Sequence, residues 1–302
     1  MNTDTIQFAP SLIENRPSQF FRLLRKAWDL KLGVIGGIIL VGMLICAVAA
    51  PWVAPFDPYE QNIMERLLPP VFFDDGSATY LLGTDSVGRD TLSRIIYGTR
   101  VSLIVGISAV LIQVVIGVLL GLLAGYYGGK TDSAISFMVN VMMGFPFILL
   151  AISLVAVLGP SLQNIIFALG ITGWPVFTRV SRVETIKLRE SEFVLCAKTL
   201  AFSTMRILLK HILPNVLPTI LVLATVEVAR AIIRESLLSF LGLGIQPPTP
   251  SWGMMLAEGR DYMLSEWWLA AFPGLAIFLS AMGINLLGDA MRDLVDPHMR
   301  KS

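Results

Sequence analysis

Charge is scarce in this sequence. Only 15% of its 302 residues are Asp, Glu, Lys or Arg, against about 25% in an ordinary soluble domain. The shortage is concentrated in runs with no charge at all, over 32–56, 101–129, 133–178 and 267–288. A helix needs about 20 apolar residues to cross a bilayer, and every run meets that length. A freely soluble protein is thereby excluded, and an all-α integral membrane protein in contact with lipid is expected. Histidine and cysteine are rarer still, with two of each. His211, His298, Cys46 and Cys196 are scattered, whereas a zinc site needs several such ligands converging. No metal and no cofactor is expected, and two cysteines so placed make no disulfide framework. No nucleophile stands beside a base, so the sequence gives no support for an enzyme. The net charge of +1 points to no partner by itself, and no nucleic acid is expected.

What charge there is follows a pattern. Lys and Arg near a span mark the cytoplasmic side. Arg16, Arg22, Arg25, Lys26 and Lys31 precede the first apolar run, so the segment 1–31 is expected inside and the first span, near 32–54, runs outward. Ala47-Val48-Ala49 resembles a signal-peptidase site. Signal peptides total about 15–30 residues, so a run that begins only at 32 reads as an uncleaved anchor. Pro69-Pro70 and Asp74-Asp75-Gly76 are turn signals and place an outer loop over 57–97.

The next span, near 100–125, carries Gly117, Gly121 and Gly125 at intervals of four. Small residues so spaced let helices approach closely, either inside this subunit or against a partner. The run 133–178 is long enough for two spans, broken at Gly159-Pro160-Ser161, since proline removes a backbone donor. Asn140 and Asn164 fall near the span ends, and Gly173-Trp174-Pro175 reads as a kink or an end. The island 179–210 holds Arg179, Arg182, Lys187, Arg189, Lys198, Arg206 and Lys210 and is expected in the cytoplasm. A fifth span over 212–240, an outer loop over 242–266 and a sixth span near 267–288 follow. Arg292, Arg300 and Lys301 put the tail 291–302 inside. Six helices with both termini cytoplasmic are expected.

Three constellations invite a chemical reading. Ala124-Gly125-Tyr126-Tyr127-Gly128-Gly129-Lys130-Thr131 approximates a phosphate loop, but such a loop follows a strand and opens a helix in a soluble α/β unit. Here it follows a membrane helix, and a connector is the better reading. Asp85, Arg89 and Asp90 form a charged cluster in the outer loop, read as helix capping and surface ion pairs. Glu227, Arg230, Arg234 and Glu235 lie in the otherwise apolar fifth span. The first three share a helical face, and ionisable groups at membrane depth face a cavity or pair with one another. They are expected either to line a translocation pore or to pair structurally, with Arg234 and Glu235 reaching the outer interface.

The island also reads as a docking element. Ala197 and Ala201, at i and i+4, present small side chains beside Phe193 and Phe202, a surface suited to a groove on another protein. An amphipathic helix lying on headgroups is the alternative, weakened by the mixed charges of Glu190, Glu192 and Lys198. Pro214 is expected to end this helix.

These residues resemble the coupling motif of ABC importer permeases, Glu-Ala-Ala, three residues, Gly, nine residues, then x-x-Leu-Pro. Here Leu195-Cys196-Ala197, Ala201 and His211-Ile212-Leu213-Pro214 hold that spacing, with Leu195, Cys196 and Ala201 in place of Glu, Ala and Gly. Further stretches are similar to the C-type subunit of dipeptide, oligopeptide and nickel permeases. They include Ala54-Pro55-Phe56-Asp57-Pro58, Leu82-Gly83-Thr84-Asp85 through Arg89-Asp90, and Tyr97-Gly98-Thr99-Arg100. Leu238-Ser239-Phe240-Leu241-Gly242, Pro247-Pro248-Thr249-Pro250-Ser251-Trp252, Phe272-Pro273-Gly274 and Asn285-Leu286-Leu287-Gly288-Asp289 extend the likeness over residues 20 to 300.

The resemblance implies the type I ABC importer permease fold in a bacterial inner membrane, with an N-terminal region at 32–97 and a transport domain at 98–290. It implies a second, B-type permease, two cytoplasmic ATPase subunits and an extracytoplasmic substrate-binding protein. The cytoplasmic coupling loop 179–211 would meet the ATPases through Glu192, Phe193, Val194, Ala197, Lys198, Ala201 and Phe202. Peptides are the implied cargo, with nickel chelates, glutathione or other small solutes as the alternative. An ion-coupled carrier gated by Glu227 and Arg230 is the rival of a different class.

Overall fold

A computed structural model describes residues 31–295. The arginines of the N-terminal segment before Lys31, with His298, Arg300 and Lys301 of the tail, lie outside the described residues. The first helix, α1, is Lys31–Val53. A loop with one 3-10 turn at Ile63–Glu65 leads to α2, Thr91–Tyr127. Then come α3, Gly129–Gly144, α4, Phe147–Leu158, and α5, Leu162–Arg189. The short α6 is Glu192–Thr199. It is followed by α7, Thr204–Phe240, which crosses the molecule without a break. After α8, Trp252–Gly259, the described chain ends in α9, Trp268–Val295.

Four of these helices, α1, α2, α7 and α9, are long and apolar enough to cross a membrane, and the bent pair α3–α4 raises that to five. The remaining expected span, the second of the pair read over 133–178, coincides with α5, whose C-terminal half carries Arg179, Arg182, Lys187 and Arg189 and so falls short on composition. Local chemistry fixes the boundaries. Asp90 accepts the Ser93 N–H at 2.8 Å and so caps α2; Ser161 and Ser251 cap α5 and α8 in the same way. The expected break at 159–161 is present, with Gly159 at φ +86 closing α4.

One proline reading needs correction, another narrows, and one break was not foreseen. Helix α5 continues through Pro175, so of the two readings there, a kink or an end, the end is excluded. Likewise Pro214 does not terminate the island's helix. It sits inside α7, just after a π-helical turn over Ile207–Ile212, the kind of local adjustment that lets proline remain within a membrane helix. Conversely, the single run 133–158 is interrupted at Phe145-Pro146, where α3 and α4 meet at 86°.

The centre of the fold is the packing of α2 on α5, and glycine makes it possible. A Cβ on Gly117 would stand 2.7 Å from the Trp174 carbonyl oxygen, on Gly121 2.7 Å from that of Thr178, and on Gly125 2.7 Å from that of Arg182. All three glycines therefore serve packing inside this subunit. The Ser181 hydroxyl, which donates to the Phe177 carbonyl at 2.7 Å, also lies 3.2 Å from the Gly117 carbonyl, and Gln113 donates to that of Leu169 at 3.0 Å. These bonds replace hydrophobic attraction, which is weak between helices in lipid. A backbone cannot yield as a flexible side chain does, so Gly121→Leu is expected to cost at least about 3 kcal/mol. Loss of the monodisperse folded peak in detergent, with Gly42→Leu in α1 as the uncrowded control, checks this; a Cβ there meets nothing within 4 Å.

Helix α1 leans on α9 by the same device, since a Cβ on Gly36 would stand 2.6 Å from the Gly283 carbonyl oxygen. Polar bonds tie the first half of the bent pair to α5. Arg182 pairs with Asp132 through both carboxylate oxygens, and Arg179 donates to Asn140 at 3.0 Å. Asn140 therefore ties α3 to α5 rather than merely marking a span end.

Candidate functional site

Three surfaces bear on function, and the first is α6. The helix ends at Thr199 because the chain turns left-handed at Ala201, with φ +55. The Ala201 N–H bonds the Lys198 carbonyl at 2.9 Å and the Phe202 N–H bonds that of Ala197 at 3.1 Å. This pair is a Schellman stop, and its left-handed residue is usually glycine. Ala197 and Ala201 consequently do not share a helical face, contrary to the expectation from their spacing. Ala occupies the left-handed position at a cost of about 1 kcal/mol. Ala201→Gly is therefore expected to raise the melting temperature slightly, by about a degree or two in a chain of this size, as differential scanning in detergent would report.

The expected docking residues separate by burial. Val194 and Ala197 are buried against Ile207, Leu208 and Ile212 of α7 and hold the helix to its own subunit. Phe202 is half-buried between the Arg206 guanidinium, 4.0 Å from its ring centre, and the stacked His211 ring. Lys198 lies over the Tyr126 ring at 5.4 Å. The outward surface is Glu192, Phe193 and Ala201, joined by Leu195 and Leu200, which are 49% and 68% exposed. Sequence reasoning missed those two leucines as surface residues. The alternation of Val194 and Ala197 with Phe193 and Leu195 was the available signal.

The turn before α3 behaves as a connector. Gly128, at φ +66, closes α2, and Arg189 donates to the Gly125 and Tyr126 carbonyls at 3.3 Å. The second surface lies on α7. Glu227 is fully buried, and both its oxygens are used: one accepts from Arg230 at 2.6 Å and the other from Arg234 at 3.3 Å. Arg234 also lies over the Phe147 ring at 4.0 Å, beside the α3–α4 break. Glu235, expected with this group, stands apart. It is buried and accepts from Ser239 at 2.7 Å and Ser236 at 3.4 Å, tying the end of α7 together instead of facing an open surface.

The third surface is the cap formed by the outer loop and α8. Asp85 pairs with Arg89 at 2.6 Å and closely with Arg94; Glu258 meets Arg89 at 3.2 Å and Arg94 at 2.7 Å. Asp85, Arg89 and Arg94 are all buried. The expected surface ion pairs are thus a buried quartet joining three segments, while the capping role read for Asp90 is present. Arg94 and Glu258 were not singled out from the sequence, because 164 residues separate them. Tyr80 donates to Glu65 at 2.8 Å, and that carboxylate holds the phenol above its usual pKa. Phe73 packs on Trp267 and Trp268, joining the loop to α9.

Comparison with known proteins agrees with this arrangement. The family described as binding-protein-dependent transport system inner membrane component matches residues 117–301. The N-terminal TM domain of oligopeptide transport permease C matches residues 18–70. The di/tripeptide transport system permease protein DppC of Pseudomonas aeruginosa is 40% identical over 89% of this chain and 89% of its own. DppC of Alkalihalophilus pseudofirmus is 44% identical over 93% of this chain and 89% of its own. The probable D,D-dipeptide permease DdpC of Escherichia coli is 41% identical, covering 92% of each. Among solved structures, an inward-facing MetNI methionine ABC transporter chain superposes with a TM-score of 0.56 at 18% identity, covering 68% of this chain and 98% of its own. That likeness concerns the fold alone. The chain is a multi-pass inner-membrane permease and belongs to the family of binding-protein-dependent transport system inner membrane components.

Proposed function

We propose that this chain is one of two permease subunits of an ATP-driven importer that moves small peptides inward. The observation that carries the cargo is the match, over about nine-tenths of the chain, to permeases named for dipeptides. The chain performs no covalent chemistry. Two ATPase subunits hydrolyse ATP in the cytoplasm, a B-type permease completes the pore, and an extracytoplasmic binding protein delivers the peptide to the outer loops. Helix α6 is the lever. Phe193, Leu195 and Leu200 offer the ATPase an apolar surface, while Val194 and Ala197 carry its motion into α7 and the core.

Six spans with both ends inside follow if α5 is the remaining one. At 28 residues it is about 42 Å long, more than the hydrocarbon core requires, with its basic half in the cytoplasm. Arg230 and Arg234 line the pore, with Glu227 as their buried counter-ion. The break at Phe145-Pro146 supports this reading, because non-helical backbone at membrane depth is tolerated where it is buried in protein or lines a water-filled cavity. An ion-coupled carrier leaves the exposed apolar side of α6 without a purpose.

Co-purification of a tagged chain from its native membrane tests the assembly. Two ATPases and a second permease are expected to come with it, and ATP-dependent uptake of a labelled dipeptide by the reconstituted complex tests the cargo. A chain that emerges without any ATPase sinks the importer reading, and uptake of nickel chelates or glutathione in place of dipeptides sinks the peptide assignment.

A further inference from the structure

The charges on one face of α7 do not balance. Arg230 and Arg234 share the single carboxylate of Glu227, so this face carries one net positive charge, while Glu235, the other acid at this level of the helix, is turned into Ser236 and Ser239. The two arginines are not equivalent. Arg234 is three-quarters covered, with one edge on Glu227 and its face on Phe147. The Arg230 side chain is 54% exposed. Among the described residues its only bond runs from Nη1 to Glu227, which leaves Nε and Nη2 available as donors. Neither oxygen of Glu227 is spare, so nothing on this face neutralises Arg230 further. A guanidinium presents its donors as a rigid planar fork that matches a carboxylate. An uncompensated cation at membrane depth is costly unless a cavity or an anion attends it.

We infer that Arg230 reads the free C-terminal carboxylate of the peptide as it passes the α3–α4 break. Arg234, locked between Glu227 and Phe147, positions the face, and Glu227 keeps Arg230 aimed outward from α7. A peptide's carboxylate is the one charge that every such cargo carries regardless of its side chains, so a single arginine serves all of them. The inference rests on the pore and peptide readings above.

The test uses the complete importer in proteoliposomes with its binding protein. Maximal uptake rates are measured for alanyl-phenylalanine and for its C-terminal amide, each at a concentration that saturates the binding protein. The unmodified importer is expected to favour the acid by about tenfold or more, the scale of one hydrogen bond to a charged group. Arg230→Gln is expected to bring that ratio close to one by slowing the acid alone, and Arg230→Lys to keep part of it. Size-exclusion of each variant verifies that all subunits remain. An unchanged acid-to-amide ratio in Arg230→Gln would overturn the inference. So would loss of the second permease from that variant, since Arg230 would then be an intersubunit contact. If the unmodified importer takes up neither compound, the peptide reading itself fails, and this inference with it.

Discussion

Arg94→Met is expected to destabilise the folded chain by about 3–5 kcal/mol, the scale of leaving a buried charge without its partner. Arg94 is 2% exposed and bridges two carboxylates, Asp85 and Glu258. The intact quartet is neutral, with two acids and two bases. Removing Arg94 leaves one net negative charge buried and turns both carboxylates toward a single remaining arginine. The double variant Arg94→Met/Glu258→Leu restores neutrality, because Asp85 and Arg89 remain a pair at 2.6 Å. It should therefore cost less than Arg94→Met alone, a non-additivity typical of residues within one network. Thermal unfolding of the purified chain in one detergent measures both. A single variant within about 1 kcal/mol of the parent would mean that the network does not hold the cap.

Leu195→Asp and Val194→Asp, neighbours in α6, are expected to fail in different ways. Leu195 is half-exposed and makes no part of the core, so its aspartate variant should fold, keep the second permease and lose the ATPases. Central apolar contacts in an interface are worth about 2–4 kcal/mol, or some thirty-fold to a thousand-fold in affinity, and peptide uptake should fall accordingly. Val194 is wholly buried against Ile207, Leu208 and Ile212. A carboxylate there is desolvated without a partner, so α6 should detach and the chain itself should lose stability. Quantifying ATPase subunits on the tagged chain, beside its melting temperature, separates the two. Leu195→Asp that retains its ATPases in full would remove α6 from the coupling path.

Much of this molecule was legible in the sequence because the bilayer imposes a linear rule. Length and apolarity alone marked the spans at α1, α2, α7 and α9, and the spacing of Gly117, Gly121 and Gly125 announced a close helix contact. Turn chemistry at Gly159-Pro160-Ser161 announced a break. Proline was a poorer guide. Pro175 and Pro214 both lie inside helices, Pro214 just after a π turn, and Pro146 marks the bend in a span that composition read as continuous.

Charge on a helix could be placed from sequence only as far as its periodicity reached. That Glu227, Arg230 and Arg234 share a face followed from their spacing, since a helix sets it locally. Which of them is buried, and that Glu235 turns into a cluster of serines, depended on the helices packed around α7. The same division runs through α6. Spacing placed Ala197 and Ala201 together, but the left-handed turn at Ala201 is a conformation, invisible in residue identity when alanine stands where glycine is usual. Arg94 and Glu258 mark the limit most plainly. Each reads alone as a charge near a helix end, and only the fold brings them to 2.7 Å, because an ion pair across 164 residues has no periodicity to betray it. The sequence by itself therefore determined the membrane class, most spans and the spacing motif of the island 179–210, all properties of contiguous stretches. The tertiary structure decided which side chains meet, since burial and charge compensation arise from segments far apart along the chain.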